Sequence, residues 1–139
     1  DFINTNDTES KPITALAQGT ITADLMHAAA LHHQAFDQVI LLNPLISYAS
    51  ILEQKNYKTK FIPSAVAASI RHYDLPDLTA LYAGKLLIIN PLNALDMPIS
   101  LIAAQLAYAK ALNPKTGTTQ LKLDVNIKNL SPTILNWLK

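Results

Sequence analysis

The chain has no cysteine, which excludes disulfides and thiolate chemistry of either the nucleophilic or the metal-binding kind. Three glycines in 139 residues cannot build a G-x-G-x-x-G turn or a phosphate-cradling loop, so no nucleotide cofactor, and no cofactor of any other kind, is expected. Aromatic residues are 6% of the chain and do not alternate with basic ones, so neither a base-stacking platform nor an aromatic carbohydrate-binding face is signalled. Charged residues are 15% and the net charge is +1. With no run of lysine or arginine, a nucleic-acid partner is not expected. No apolar run reaches the ~18 residues of a membrane span. There is no initiator methionine, and Asp1-Phe2-Ile3 reads like the end of a helix. We therefore expect an excised domain, a processed product or a fragment, from which a signal peptide is readily lost. The lack of cysteine is compatible with a secreted or periplasmic bacterial address and does not establish one.

What is present is hydrophobicity, at 50% of the residues. That fits strands buried on both faces. It also fits a surface that docks a protein partner, a missing N-terminal domain or a second copy of the chain. The length predicts a single domain over residues 1–139, large enough for a real core, with residues 1–11 as a polar lead segment.

The pattern along the chain alternates between strand and helix. Residues 12–18 read as a strand and residues 24–33 as a helix with Leu25, Met26, Ala29 and Ala30 on its apolar face. Thr20 or Thr22 suits its N-cap, and Asp24 suits the positive end of its dipole. Two unbroken apolar runs, Gln38 to Leu42 and Lys85 to Ile89, carry the grammar of parallel strands, and each stops at an Asn-Pro pair, Asn43-Pro44 and Asn90-Pro91. Between them, helices are expected over 45–54, 62–72 and 76–82, the last capped by Gly84. A further helix is expected over 98–112, opened by Pro98, then a turn at 113–118. Residues 119–127 alternate as an edge strand, and 132–139 form a last helix after Ser131, with Trp137 packed inward. The order β-α-β-α-β-α-β-α implies an α/β fold: a three-layer α/β/α sandwich around a mainly parallel sheet of about four strands.

A strand, then Gly19-Thr20-Ile21-Thr22-Ala23, then a helix is the setting of the hydrolase nucleophile elbow, G-x-S-x-G. The central place needs a serine, cysteine or aspartate. Here it is Ile21, and a branched alkyl group cannot attack a carbonyl.

Further segments carry a family resemblance: Ala17-Gln18-Gly19 with Ala28-Ala29-Ala30-Leu31, Val39 to Tyr48, Ile62-Pro63-Ser64-Ala65-Val66, His72-Tyr73-Asp74-Leu75-Pro76-Asp77-Leu78, and Leu86 to Ala94. Over residues 12–112 the chain resembles the C-terminal half of α/β-hydrolases, in particular bacterial acetyl xylan esterase-like proteins, with H-Y-D-L-P-D-L the most specific part. The resemblance implies a partial α/β-hydrolase-like fold without its N-terminal half. It puts the catalytic acid at Asn93, an amide where a carboxylate is wanted, with Asp96 as a possible substitute. It puts the catalytic histidine in Lys128-Asn129-Leu130-Ser131, which holds none. All three positions of the triad fail, and what is left without a triad is at most ~10³–10⁴-fold over water.

Other polar groups have plainer readings. His27, His32, His33 and His72 are the only histidines, and their spacing does not match H-E-x-x-H, so no metal is expected and a surface position near a helix end is. In the dense group Arg71, His72, Asp74 and Asp77, Asp74 is expected to cap a helix and Arg71 to pair with a carboxylate. Ser47 and Ser50 follow a strand end, where α/β sheets bind ligands. Asn43, Ser47, Asn90 and Asn93 are the candidate ligand-binding residues, for a sugar or another polar ligand, against the reading that they satisfy loop backbone. The function expected is that of a non-catalytic, degenerate α/β-hydrolase-like domain, an accessory or C-terminal part of a carbohydrate-esterase-like protein. The alternative is an acetyl xylan esterase-like hydrolase domain, acting on carboxylic esters, whose catalytic residues are completed by another domain or chain.

Overall fold

The computed structural model describes residues 11–32, 34–113 and 120–139. The polar lead apart from Lys11, His33 and most of the 113–118 turn lie outside these residues. Strands β1 (Thr14–Gln18), β2 (Gln38–Leu42), β3 (Lys85–Ile89) and β4 (Gln120–Asp124) form one all-parallel sheet in the order β1-β2-β3-β4. They alternate with helices α1 (Thr22–Leu31), α2 (Ala49–Glu53), α3 (Leu75–Leu81), α4 (Leu101–Ala107), α5 (Ala109–Leu112) and α6 (Leu130–Trp137). The α/β class and parallel sheet read from the alternation are those of the structure.

Register partners in parallel strands share a face. One face carries Ala15, Val39, Leu41, Leu86, Ile88, Leu121 and Leu123, packed with Met26 and Ala29 of α1, Leu75 and Leu78 of α3, and the buried rings of Tyr82 and Tyr108. Consecutive parallel strands joined by crossovers of one hand put every crossover helix on one side. The segment after β4 is free of that constraint, and α6 covers the other face. There Ile40, Leu42, Leu87 and Ile89 meet Ile127, Leu130, Ile134 and Trp137. Among the described residues, two polar atoms buried without a hydrogen-bond partner, Gln38 Oε1 and Trp137 Nε1, belong to β2 and α6. Leu16 of β1, the register partner of Ile40, stays 52% exposed.

Strands β2 and β3 keep the boundaries read from the sequence, and the long connections do not. The helix expected over 62–72 is two 3₁₀ turns, Thr59–Ser64 and Ser69–Arg71. Pro63 supplies no N–H, and left-handed Ala68 (φ 61°) cannot continue a right-handed helix. The 45–54 helix shrinks to α2 because Leu45 instead extends the β2 end by bridging to Leu92. The 98–112 helix breaks at buried Tyr108 (φ −94°, ψ 18°). Gly84 is no helix cap: α3 ends on extended Tyr82 (φ −74°, ψ 124°). Glycine is required there because a Cβ would collide with the Tyr82 phenol and lie 2.7 Å from the Asp37 carbonyl oxygen.

All four strands leave the sheet through a left-handed residue: Gly19 (φ 68°) after β1, Asn43 and Asn90 (φ 51° each) after β2 and β3, and Asn126 (φ 59°) two residues beyond β4. Asparagine tolerates this conformation better than other residues with a side chain. The two Asn-Pro pairs thus end strands by the asparagine's turn as well as by the proline, and all four turns gather at the carboxyl edge of the sheet.

Candidate functional site

In open parallel sheets ligands bind beyond the carboxyl ends of the strands. Two places there matter: the turn after β1 and a crevice over the exits of β2, β3 and β4.

At the first, Gly19 begins a 3₁₀ turn, Gly19–Ile21, that runs into α1. The left-handed residue of this turn is Gly19, two positions before Ile21, and a Cβ on Gly19 would meet no atom within 4 Å. Ile21 is 57% exposed. Neither position holds a group able to attack a carbonyl. Thr22, expected as a cap, donates its hydroxyl back to the Gly19 carbonyl at 2.6 Å, and Ile21 is the N-cap without a side-chain bond. The 59–64 turn is tied to this elbow by buried Ser64, whose Oγ donates to the Thr20 carbonyl at 2.8 Å.

Of the other sequence candidates, Asn93, Ser47 and Asp74 are engaged by backbone. Asn93 Oδ1 accepts from Leu95 N and Met97 N at 2.9 and 3.1 Å, closing its own turn. Asp96 pairs with Lys60 at 2.6 Å. Ser47 Oγ accepts from Ser50 N at 3.1 Å at the start of α2. Asp74 is the cap expected of it and more. Its carboxylate accepts from Leu75 N (2.6 Å) at the head of α3, and from Tyr48 N (2.6 Å) and Ala49 N (3.1 Å) at the head of α2. Asp77 completes the capping box by accepting from Asp74 N at 2.9 Å. Burial works against the Asp77 charge, but the paired Lys110 ammonium and the Asp74 N–H outweigh it and hold the carboxyl below its usual range. No ion pair to Arg71 occurs among the described residues.

His27 departs from the surface position expected of it. Its Nδ1 lies 2.8 Å from the Ala23 carbonyl, which can only accept, so Nδ1 carries a proton, and Nε2 lies in hydrogen-bond contact with the Tyr73 hydroxyl at 3.0 Å. The ring stacks toward Tyr48 at 6.4 Å and meets Tyr73 edge-on at 5.6 Å. Tyr48 in turn donates to the Ser64 carbonyl at 2.7 Å. Burial, helped by Tyr73, Asp24 and Asp74, pushes its phenol up to about 12. The sequence signal was available, since Ala23 and His27 stand four apart on one helix face, but nothing in it named Tyr48 and Tyr73 as partners.

The second place is a crevice of about 260 Å³ lined by Asn43, Asn90, Leu92, Pro98, Asn126, Ile127 and Lys128. It unites two of the four residues singled out from the sequence, Asn43 and Asn90, and leaves out Ser47 and Asn93. The Asn90 carboxamide is a brace: Nδ2 donates to the Ile127 carbonyl and Oδ1 accepts from Ile127 N, both at 2.8 Å. This bidentate clasp fixes the loop after β4 against the exit of β3. Asn126 and Lys128, on that loop, were missed because V-N-I-K lacks the proline that marks the other exits. Among the described residues the side chains of Asn43, Asn126 and Lys128 have no protein partner.

Among the described residues no three histidines or carboxylates gather as metal ligands, and no helix is long and apolar enough to cross a membrane. What the fold defines is a small α/β domain with a four-strand all-parallel sheet. Compared with protein-family models, curated proteins and solved structures, the chain matches none.

Proposed function

We propose that this is a non-catalytic α/β-hydrolase-like domain, an accessory or C-terminal part of a carbohydrate-esterase-like protein, working by binding and packing. The observation that carries the reading is the elbow after β1. It has the strand, the left-handed turn and the helix of a nucleophile elbow, but the left-handed residue is Gly19 and the next outward side chain is Ile21. Further support comes from Asn93, whose carboxamide is spent on its own turn, and from His27, whose two ring nitrogens are held by Ala23 and Tyr73.

The test is p-nitrophenyl acetate hydrolysis by the purified chain, with Gly19→Ser and Ile21→Ser variants beside it and a fluorophosphonate probe for reactive serines. The expected result is neither turnover nor labelling of the wild type. Turnover abolished by the probe would refute the reading, and the labelled residue would identify the serine responsible.

A second reading, an esterase completed by another domain or chain, is favoured by one feature. The outer edge of β1 has no neighbouring strand among the described residues, its five residues carry no charge, and its Leu16 is exposed. Free edges are ordinarily blunted by charge, as β4 is by Lys122 and Asp124. On this reading the isolated chain is inert and turnover appears only when the completing polypeptide is present.

A further inference from the structure

The lining of the crevice over β2, β3 and β4 discriminates between ligand classes. Among the described residues its one charged side chain is Lys128, and no carboxylate lines it. The nearest acids along the chain are neutralised elsewhere: Asp124 faces Lys122 at 3.3 Å and Asp96 faces Lys60 at 2.6 Å. The ammonium is therefore left to attract an anion. Asn43 and Asn126 each offer a carboxamide that both donates and accepts, the pairing that hydroxyl groups need. Leu92, Pro98 and Ile127 add apolar surface against which the C–H face of a small ring can rest. The walls are preformed, since left-handed turns fix both free asparagines at their backbones and the Asn90 clasp holds the β4 loop in place. Preorganisation of this kind lowers the entropy cost of binding.

We propose that this crevice binds a small hydroxylated carboxylate of the sugar-acid class. Lys128 takes the carboxylate and Asn43 and Asn126 take hydroxyls. A neutral sugar leaves the ammonium unused, and a bare inorganic anion leaves the carboxamides and the apolar wall unused. The proposal rests on the reading of the domain as one that works by binding.

The experiment is a ¹H–¹⁵N correlation titration of the full chain with three probes: D-galacturonate, D-galactose and inorganic phosphate. Galacturonate is expected to give saturable shifts at the amides of Asn43, Asn126 and Lys128, with galactose and phosphate each weaker by about tenfold or more. Lys128→Ala is expected to bring galacturonate down to the level of galactose. Asn43→Gly, which keeps the left-handed turn, is expected to weaken it several-fold while the rest of the spectrum stays native. No saturable shift in the crevice with galacturonate overturns the proposal, as does galactose or phosphate binding as tightly as galacturonate. Ester hydrolysis is read separately. Turnover refutes the non-catalytic reading and leaves the shift map intact, whereas an absent shift map with no turnover removes the ligand and leaves that reading standing.

Discussion

Replacing Asp74 by alanine strips the cap from two helices at once. Its carboxylate satisfies Leu75 N of α3 and Tyr48 N and Ala49 N at the head of α2, in a partly buried site. A single N-cap contributes about 1 kcal/mol, and hydrogen bonds to a charged group contribute about 1.5–3 kcal/mol each before the desolvation of the orphaned donors is counted. These terms overlap, because the three N–H groups share one carboxylate and water reaches part of the site. The expected loss for Asp74→Ala is therefore about 2–4 kcal/mol, which is roughly 4 °C in melting temperature per kcal/mol for a domain of this size. Asp74→Asn keeps one acceptor oxygen and is expected to lose about half as much. Urea denaturation followed by Trp137 fluorescence reads both variants, with the slope of the transition checking that the folded state is unchanged. A loss for the alanine variant below about 0.5 kcal/mol, at unchanged slope, would refute the shared-cap account.

Three further outcomes are expected. Gly84→Ala drives a methyl into the Tyr82 phenol and toward the Asp37 carbonyl, so calorimetry should show a loss of about 1–3 kcal/mol, the range for overpacking; a neutral variant would mean the 82–85 turn is free to shift. Burial, with added repulsion from Asp37, raises the Tyr82 phenol to about 12, as burial and nearby charge do for Tyr48, and burial raises Tyr108 further still. Their contribution to stability is present below pH 10 and lost as pH rises toward 12, so absorbance at ~295 nm should show these three ionising together with alkaline unfolding; independent titration near 10 would contradict the burial. Asp77, held below its ordinary value of 3.8, contributes stability that is present above that pH and lost as pH falls through its lowered value. Lys110→Met removes the surface pair at a cost under about 1 kcal/mol and should move the acid-unfolding midpoint upward; a midpoint that stays or falls would count against the pair.

The buried strands β2 and β3 were legible because nothing but a parallel sheet explains two unbroken apolar runs ending at Asn-Pro. The connections were not, because their conformation is set by tertiary contacts. Leu45 reads as a helical residue until Leu92 is beside it to bridge. The stretch 62–72 reads as helical because no residue type announces that Ala68 is left-handed. The site was half legible for a related reason. Asn43 and Asn90 stood out through a repeated motif, and Asn126 did the same conformational work without it. Asn93 and Ser47 looked like ligands because a side chain that closes its own turn has the same composition as one that waits for a substrate.

The asparagines at the strand exits also bear on how the protein ages. An asparagine loses its amide when the backbone nitrogen of the next residue attacks the side-chain carbonyl, a reaction that needs an N–H at that nitrogen. Asn43 and Asn90 are each followed by proline, which has none. For Asn126 the next nitrogen, that of Ile127, is held in a 2.8 Å hydrogen bond to Asn90 Oδ1. All three amides are thereby guarded against slow conversion to carboxylates, each of which would put a negative charge beside Lys128 and reverse the polarity of the crevice.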